Sequence, residues 1–370
     1  MRRWLIAMVV ILTAAAPAGF SIPLCDYRSP VTDLAELAIS FAYQYHNDPF
    51  GLPNNDINEG QFTISYVRLY DRPEFGFDVT LRNDMSVSVL GVSTYTTFAD
   101  GNYKRYFSSE RDSFAFAGAL ARSSSSFKSL GLSVNLGVGC GRFVDVTPLA
   151  RATRIDEYLV ARGSLTDHLH PVDLQILADE IGSLATYESL ASLLAAAQDV
   201  IEGSGNVKIG GLDVLDISEI SRLIQAEGFS RYCGWDVKAG LGYELLDPSG
   251  GENDLLITGA FNYAFATTPN EQFLVQGSIS GPPDLLETNR ADVTLAYDYL
   301  LSDLLSLAVS YDFSRETWAA VPTDTHRISF DVTLAPLDTS QVTLGVVFEH
   351  RPFFLEWSVD VQLLIGIELL

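Results

Sequence analysis

Few residues in this chain are spaced for chemistry, and each arrangement has a plainer explanation beside it. His168-x-His170, with Asp167 and Asp173 nearby, offers nitrogen and oxygen donors of the kind that hold Zn²⁺ or another divalent ion. The pair stands directly ahead of Pro171, a residue suited to opening a helix, so a polar interhelix loop is the expected role. Gly137-Val138-Gly139-Cys140-Gly141 has the outline of a dinucleotide-binding turn, but its spacing is not G-x-G-x-x-G and its glycines continue a two-residue alternation. His46, His326 and His350 have no G-x-S-x-G nucleophile near them, and no motif of the outer-membrane phospholipases or omptin-type proteases is present. The acidic runs Asn54-Asn55-Asp56-Ile57-Asn58-Glu59 and Asp247–Asp254 carry oxygen ligands suited to Ca²⁺ or Mg²⁺, yet neither is an EF-hand loop and both read as solvated loop charge. No catalytic, cofactor-binding or metal-binding set is assigned, no cofactor is expected, and a non-enzymatic role follows.

The elements that would position such residues are set by composition and pattern. Of 370 residues, 47% are hydrophobic and 19% charged, which is too apolar for a disordered chain. Lys and Arg number 23 against 47 Asp and Glu, a formal charge of −24 that argues against nucleic acid as a partner. Met1-Arg2-Arg3, the apolar stretch Trp4–Thr13 and Ala16-Pro17-Ala18 form the three parts of a cleavable export signal over 1–18, followed by an N-terminal segment 19–33. Ile22-Pro23-Leu24 before Cys25 lacks the small residues of a lipobox. Export places Cys25, Cys140 and Cys233 where disulfides form.

From there, alternation with period two dominates. Leu37, Ile39, Phe41, Tyr43 and Tyr45 alternate with small or polar residues, as do Leu130–Val138, Trp235–Tyr243 and the C-terminal run from Leu355 to Ile367. Many of these stretches reach about ten residues, the length that crosses a bilayer at a 45° tilt. Their second face is rich in Gly, Ala, Ser and Thr with isolated Asp, as a channel wall would be. Over about 30–140 and 234–370 the chain resembles bacterial outer-membrane β-barrel proteins. That resemblance implies an all-β transmembrane antiparallel barrel of about 14 strands (12 and 16 being the alternatives), in two parts at 34–141 and 234–370.

Between the two parts, at 142–233, the apolar spacing turns helical. Leu174, Leu177, Ala178, Ile181 and Leu184 share one stripe, and Tyr187, Leu190, Ala191, Leu194, Ala197 and Ile201 another. Thr147-Pro148 and Pro171 are expected helix starts, and Asp216 with Glu219 an expected capping box. With both termini in the periplasm, the short links at 336–340, 301–302 and 268–270 become periplasmic turns, those at 315–323, 281–287 and 247–253 lie outside, and the helices are periplasmic. The same count makes a long 98–112 link periplasmic, against the usual short-turn rule.

Two side-chain expectations complete the reading. Cys140 and Cys233 flank the insertion with matching parity, and a disulfide between them would leave Cys25 free. Asp236, Glu244, Asp292, Asp298, Asp312, Asp331, Glu349, Glu356 and Asp360 have the parity of the lumen face, whose basic residues in the same strands are mainly Lys238 and Arg327. The expected function is a cation-preferring outer-membrane channel or transporter whose helices, 147–230, gate it or bind a periplasmic protein, with membrane lipid and small solutes or cations as partners. The alternative is a non-transporting barrel that anchors a helical assembly or tethering module.

Overall fold

The computed structural model describes residues 22–28, 32–46, 57–88, 91–108, 111–226, 230–248, 250, 254–302, 304–318, 321–337, 340–352 and 357–367. The export signal at 1–18 lies outside the described residues, as do Glu356 and part of each acidic run.

Among the described residues a single antiparallel sheet carries 14 strands in chain order. The first six are β1 Thr32–His46, β2 Ile57–Asp71, β3 Phe75–Ser88, β4 Gly91–Ser108, β5 Arg111–Ser124 and β6 Gly131–Asp145. After the helices come β7 Tyr232–Leu246, β8 Leu255–Thr268, β9 Glu271–Gly281, β10 Asn289–Ser302, β11 Leu305–Trp318, β12 Val321–Leu337, β13 Ser340–His350 and β14 Ser358–Ile367. Each pairs with its successor, and strand lengths run from 10 to 18 residues. The segment 98–112, expected to be a link, is mostly strand: β4 continues to Ser108 and β5 begins at Arg111. Its Phe98, Asp100, Asn102, Lys104 and Tyr106 keep the two-residue period, and their polarity hid a strand whose face is lined by charge. The 315–323 link shrinks for the same reason, since β11 runs to Trp318 and β12 starts at Val321.

The sheet has two unlike faces. Leu37, Leu136 and Val361 stand on one face, exposed by 66%, 65% and 64%, with Ile39, Trp235, Leu241, Val332 and Leu344 exposed beside them. Side chains of opposite parity carry the charge, among them Asp236 paired with Lys104 and Arg290 paired with Asp292. No helix is long and apolar enough to cross a membrane among the described residues.

Between β6 and β7 lie α1 Thr147–Arg162, α2 Pro171–Gly182, α3 Leu190–Gly203 and α4 Val214–Gln225. Their buried stripes meet in one core: Leu149, Ile155 and Leu159 of α1, Leu174, Leu177 and Ile181 of α2, Leu193 and Ile201 of α3, Ile220 and Ile224 of α4. Helix starts differ in detail from the sequence expectation. α1 is preceded by Val146 as N-cap, and the carboxylate of Asp145 accepts the Thr147 N–H at 2.8 Å, while the Thr147 hydroxyl is taken up by the main chain of Arg231 instead of capping the helix. The capping box of α4 is Asp213 with Asp216, three residues earlier than the Asp216 and Glu219 pair, so Asp216 serves as the third helical residue. At the root of the helices the Val146 N–H donates to the Arg231 carbonyl at 2.8 Å and the Arg231 N–H to Thr147 Oγ1 at 2.8 Å, closing the insertion where it leaves the sheet.

Candidate functional site: the concave polar face and its helical end

Lys104 of β4 forms an ion pair with Asp236 of β7 at 3.0 Å, closing over β5 and β6. Beneath it the ammonium lies 5.5 Å from the ring centre of Phe114. Arg142 of β6 donates to the Pro73 carbonyl, in the turn after β2, at 3.1 Å. Contacts between strands this far apart in the order mark the polar face as the concave one.

The cluster is built by an exchange of sizes between neighbours. Phe114 and Phe116 of β5 point to the concave side, and the register sets them against Gly139 and Gly137 of β6. A Cβ at either glycine would collide with these rings. The glycine run thus makes room for aromatic rings, and a nucleotide-binding turn is not its role. Tyr106 packs edge-on to Phe114 and donates to Asp71 at 3.3 Å, while Arg142 lies 4.1 Å over the Tyr106 ring. Asp236 is 1% exposed and also accepts from Asn262 at 2.7 Å, and Asn262 in turn accepts from Gln276 at 3.2 Å. Asn102 donates to both Asp78 and Asp100 at 2.9 Å. Lys104, Tyr106, Asp71, Asp78, Asp100 and Asn102 were absent from the sequence-derived site, although the alternation through 98–106 carried the signal.

The acids singled out by parity are placed as follows. Asp292 is paired with Arg290 at 2.9 Å, and Glu349 with Arg351 at 2.6 Å and opposite Arg327 in register. Asp312 accepts from Thr294 at 2.7 Å. Asp298, Asp331 and Glu244 are half-buried on β10, β12 and β7, and Asp360 of β14 stands opposite Val347 in register. Basic partners are more numerous than Lys238 and Arg327 alone, since Arg290 and Lys104 share this face.

The helical body covers one end of the concave face. Ala264 and Ala266 of β8, together with Gln272 of β9, are buried there, and Leu300 of β10 packs on the helical core. Arg231 donates from Nε to the Pro269 carbonyl at 2.9 Å. Burial pulls its guanidinium below the ordinary value, with Asp298 opposing the shift. A cavity of about 290 Å³ separates α1 and α4 from the strand ends, lined by Arg154, Glu157, Tyr158, Glu219, Asn270 and Ser302. Burial raises the Glu157 carboxyl, and neighbouring Asp156 adds to the effect. His168 bonds Asp156 through Nδ1 at 2.6 Å and Asp156 also takes the Leu169 N–H, so this histidine orders an interhelix loop. Among the described residues no group of three or more His, Cys, Asp or Glu side chains is set to hold a metal.

The cysteine pairing corrects the sequence expectation. Cys233 is bonded to Cys25 and Cys140 is free and exposed. Cys140 stands opposite Val237 and Cys233 opposite Val144, four positions apart along the β6–β7 ladder, about 13 Å and beyond disulfide reach. Cys25 is brought to Cys233 because Leu24 and Tyr27, 4% and 2% exposed, are built into the helical core. The Tyr27 hydroxyl donates to Asp179 of α2 at 3.0 Å; burial raises that carboxyl and this bond lowers it. Non-reducing peptide mapping should recover Cys25 joined to Cys233, with Cys140 fully alkylated before reduction. Recovery of a peptide linking Cys140 to Cys233 would refute the placement of the N-terminal segment.

No protein-family model matches this chain, and no curated protein matches it. Among solved structures it is similar to a mutant of the Rh. blastica porin, at 12% identity and a TM-score of 0.29 over 90% of this chain and 99% of the other. It is also similar to the CymD monoaromatic hydrocarbon channel, at 10% identity and a TM-score of 0.25 over 93% of this chain and 88% of the other. A mutant of the TodX monoaromatic hydrocarbon channel aligns at 9% identity and a TM-score of 0.30, over 93% and 90%. Likeness at this level assigns neither a solute nor a family. The class, a large antiparallel sheet with an apolar convex face and a charged concave one, rests on the chain's own register and exposure.

Proposed function

We propose that the sheet closes, β14 beside β1, into a bacterial outer-membrane barrel that conducts small solutes, with its helical end in the periplasm. The observation that carries this reading is the convex face. Continuous exposed Leu, Ile, Val, Phe and Trp over strands of 10 to 18 residues would form a water-exposed patch far above the few hundred Å² that soluble monomers tolerate. In hydrocarbon the same face is favourable, and closure satisfies the outer edges of β1 and β14. A barrel of this strand number is wider than the eight-stranded type that side chains fill.

The helical body and the segment from Ile22 to Arg28 form a gate at the periplasmic mouth. Support comes from buried Ala264 and Ala266 and partly buried Leu300 on the concave side, and from the disulfide that fixes this segment to β7. β1 and β7 stand six places apart in the strand order, on opposite walls of a closed barrel, so the segment joins the two walls under the helices. The lumen prefers cations because acids outnumber bases on the concave face; Asp236, Asp292 and Glu349 are held in close ion pairs, which leaves Asp298, Asp312 and Asp331 as the acids to test. Refolded protein in a planar bilayer should give discrete conductance steps and a reversal potential of the cationic sign under a salt gradient. Replacing Asp298, Asp312 and Asp331 together by Asn should reduce that potential by about half or more. Absence of steps, or anion preference, refutes the channel and its selectivity respectively.

A second reading has its own support. Val172 and Ile176 lie one turn apart on α2, exposed by 59% and 42%, and Ile209, Val214 and Leu215 are exposed around the start of α4. These apolar positions fit a periplasmic protein partner, and a barrel that never conducts yet captures one would be an anchor rather than a channel.

A further inference from the structure

Toward the end of the sheet away from the helices, one row of the convex face differs from the rest. Exposed Phe330 and Val332 on β12 and Leu344 on β13 set the convex parity, which His326 and His350 share. The register places Phe313 of β11 opposite His326 of β12, and His326 opposite His350 of β13, with Trp357 just ahead of β14. The row on the helical side carries Tyr311, Ile328 and Phe348. In the row beyond, Arg315 stands opposite Asp324 and donates to it from Nε at 2.7 Å and from Nη2 at 2.8 Å. Two imidazoles therefore sit side by side where an apolar surface meets a charged one.

The two rings are held next to each other. Their centres are 6.1 Å apart, as expected of residues directly opposite in antiparallel strands. Tyr311 Oη lies 2.9 Å from His326 Nδ1, which leaves Nε2 as the free nitrogen of that ring. Among the described residues His350 has no hydrogen-bond partner, so both of its nitrogens are available. Phe313 lies 5.2 Å from His326 and Trp357 5.4 Å from His350, so aromatic rings flank the pair. The cations of the adjoining residues are already committed, Arg315 to Asp324 and Arg351 to Glu349.

We propose that His326 and His350 form a two-imidazole site for a divalent transition-metal ion, with Cu²⁺ held more tightly than Zn²⁺. Neutral imidazole suits both ions, and their order is that of the Irving–Williams series. His326 binds through Nε2 and donates its Nδ1–H to Tyr311 Oη, the outer partner that fixes the tautomer and orientation of a ligating histidine. Metal–nitrogen distances of about 2.0–2.1 Å fit between imidazoles standing this close once the side chains rotate onto the ion, and water completes the coordination. Ca²⁺ and Mg²⁺ require oxygen ligands, which this pair does not offer. A bound ion joins β12 to β13 and so stabilises the folded chain. The site stands on the β11–β13 register and needs neither barrel closure nor conduction.

Untagged full-length protein in detergent, stripped with EDTA and titrated with CuCl₂, ZnCl₂ or CaCl₂ by isothermal calorimetry, tests this. The wild type should show a single tight site, about tenfold or more tighter for Cu²⁺ than for Zn²⁺, for which Ca²⁺ does not compete. H326Q/H350Q should lose the site with an unchanged β-sheet circular dichroism spectrum, and Tyr311→Phe should weaken it by about tenfold. If the double variant misfolds, His350→Gln alone keeps the test open and should cost about 100-fold. Saturating Cu²⁺ should quench the share of tryptophan fluorescence that Trp357→Phe removes, and should raise the urea midpoint of the wild type but not of H326Q/H350Q. Absence of a tight Cu²⁺ site in the wild type, unaltered affinity in folded H326Q/H350Q, loss of the site in H168Q/H170Q, or equal affinity for Ca²⁺ overturns the proposal. Conductance is read on the same preparation: metal binding without conductance removes the channel reading alone, whereas conductance without metal binding removes this inference alone.

Discussion

Reducing the Cys25–Cys233 bond in reconstituted protein is expected to raise the open probability of the channel, with the largest effect of any single treatment. The bond ties the segment carrying Leu24 and Tyr27 to β7, while those two side chains are buried in the core shared with α2. Covalent attachment of a segment to its docking site is worth about 2–4 kcal/mol. At 1.4 kcal/mol per factor of ten, the undocked population should rise by about 30-fold or more on reduction. Cys25→Ser with Cys233→Ser should reproduce the effect without reductant, and Cys140→Ser should leave the response to reductant intact. Tyr27→Phe removes the hydrogen bond to Asp179, worth about 0.5–1.5 kcal/mol, and should raise opening by about 2- to 10-fold in the oxidised protein. Identical single-channel records before and after reduction would refute the gate.

The second large effect is expected at Lys104. Asp236 is 1% exposed and Lys104 is its ion-pair partner at 3.0 Å, so Lys104→Met leaves a buried carboxylate with the Asn262 hydrogen bond and the longer-range charge of Lys238 to hold it. Removing one partner of a buried ion pair costs about 3–5 kcal/mol, much of it the cost of the abandoned charge. The double variant Lys104→Met with Asp236→Leu removes both charges and should recover most of that loss. Urea unfolding in detergent, followed by circular dichroism, measures all three proteins. A single variant within about 1 kcal/mol of wild type would mean that Asp236 is solvated or otherwise paired. The two predictions are separable, since the ion pair spans β4 to β7 on the concave wall and the disulfide fixes the N-terminal segment at the helical end.

Much of the architecture was legible because it follows from local repeats. A two-residue period separates the faces of a strand regardless of which strand it pairs with, so Trp235, Val237 and Leu241 could be set against Asp236 and Lys238 from the chain alone. The change to a helical period after Thr147 needed no partner either, since the stripe of Leu174, Leu177, Ala178 and Ile181 is written within three turns. Where the reading failed, the local signal was ambiguous. Phe98 to Tyr106 alternates as β4 requires, but its polar members resemble a loop unless a wet or charged concave face is assumed. Capping of α4 moved from Asp216 to Asp213 because two acids three residues apart offer two equivalent boxes, and only the packing of Asp216 chooses between them.

What the sequence determined by itself, then, is the alternation, the helical interruption, the acid excess and the apolar convex face, each a property of neighbours along the chain. Tertiary structure alone decided which groups meet. Cys25 and Cys233 are 208 residues apart and join because Leu24 and Tyr27 are buried among α1 to α4. Lys104 reaches Asp236 because the sheet curls with its polar face inward. Such meetings depend on register, curvature and docking, which are summed over the whole fold and leave no periodic mark on the residues they bring together.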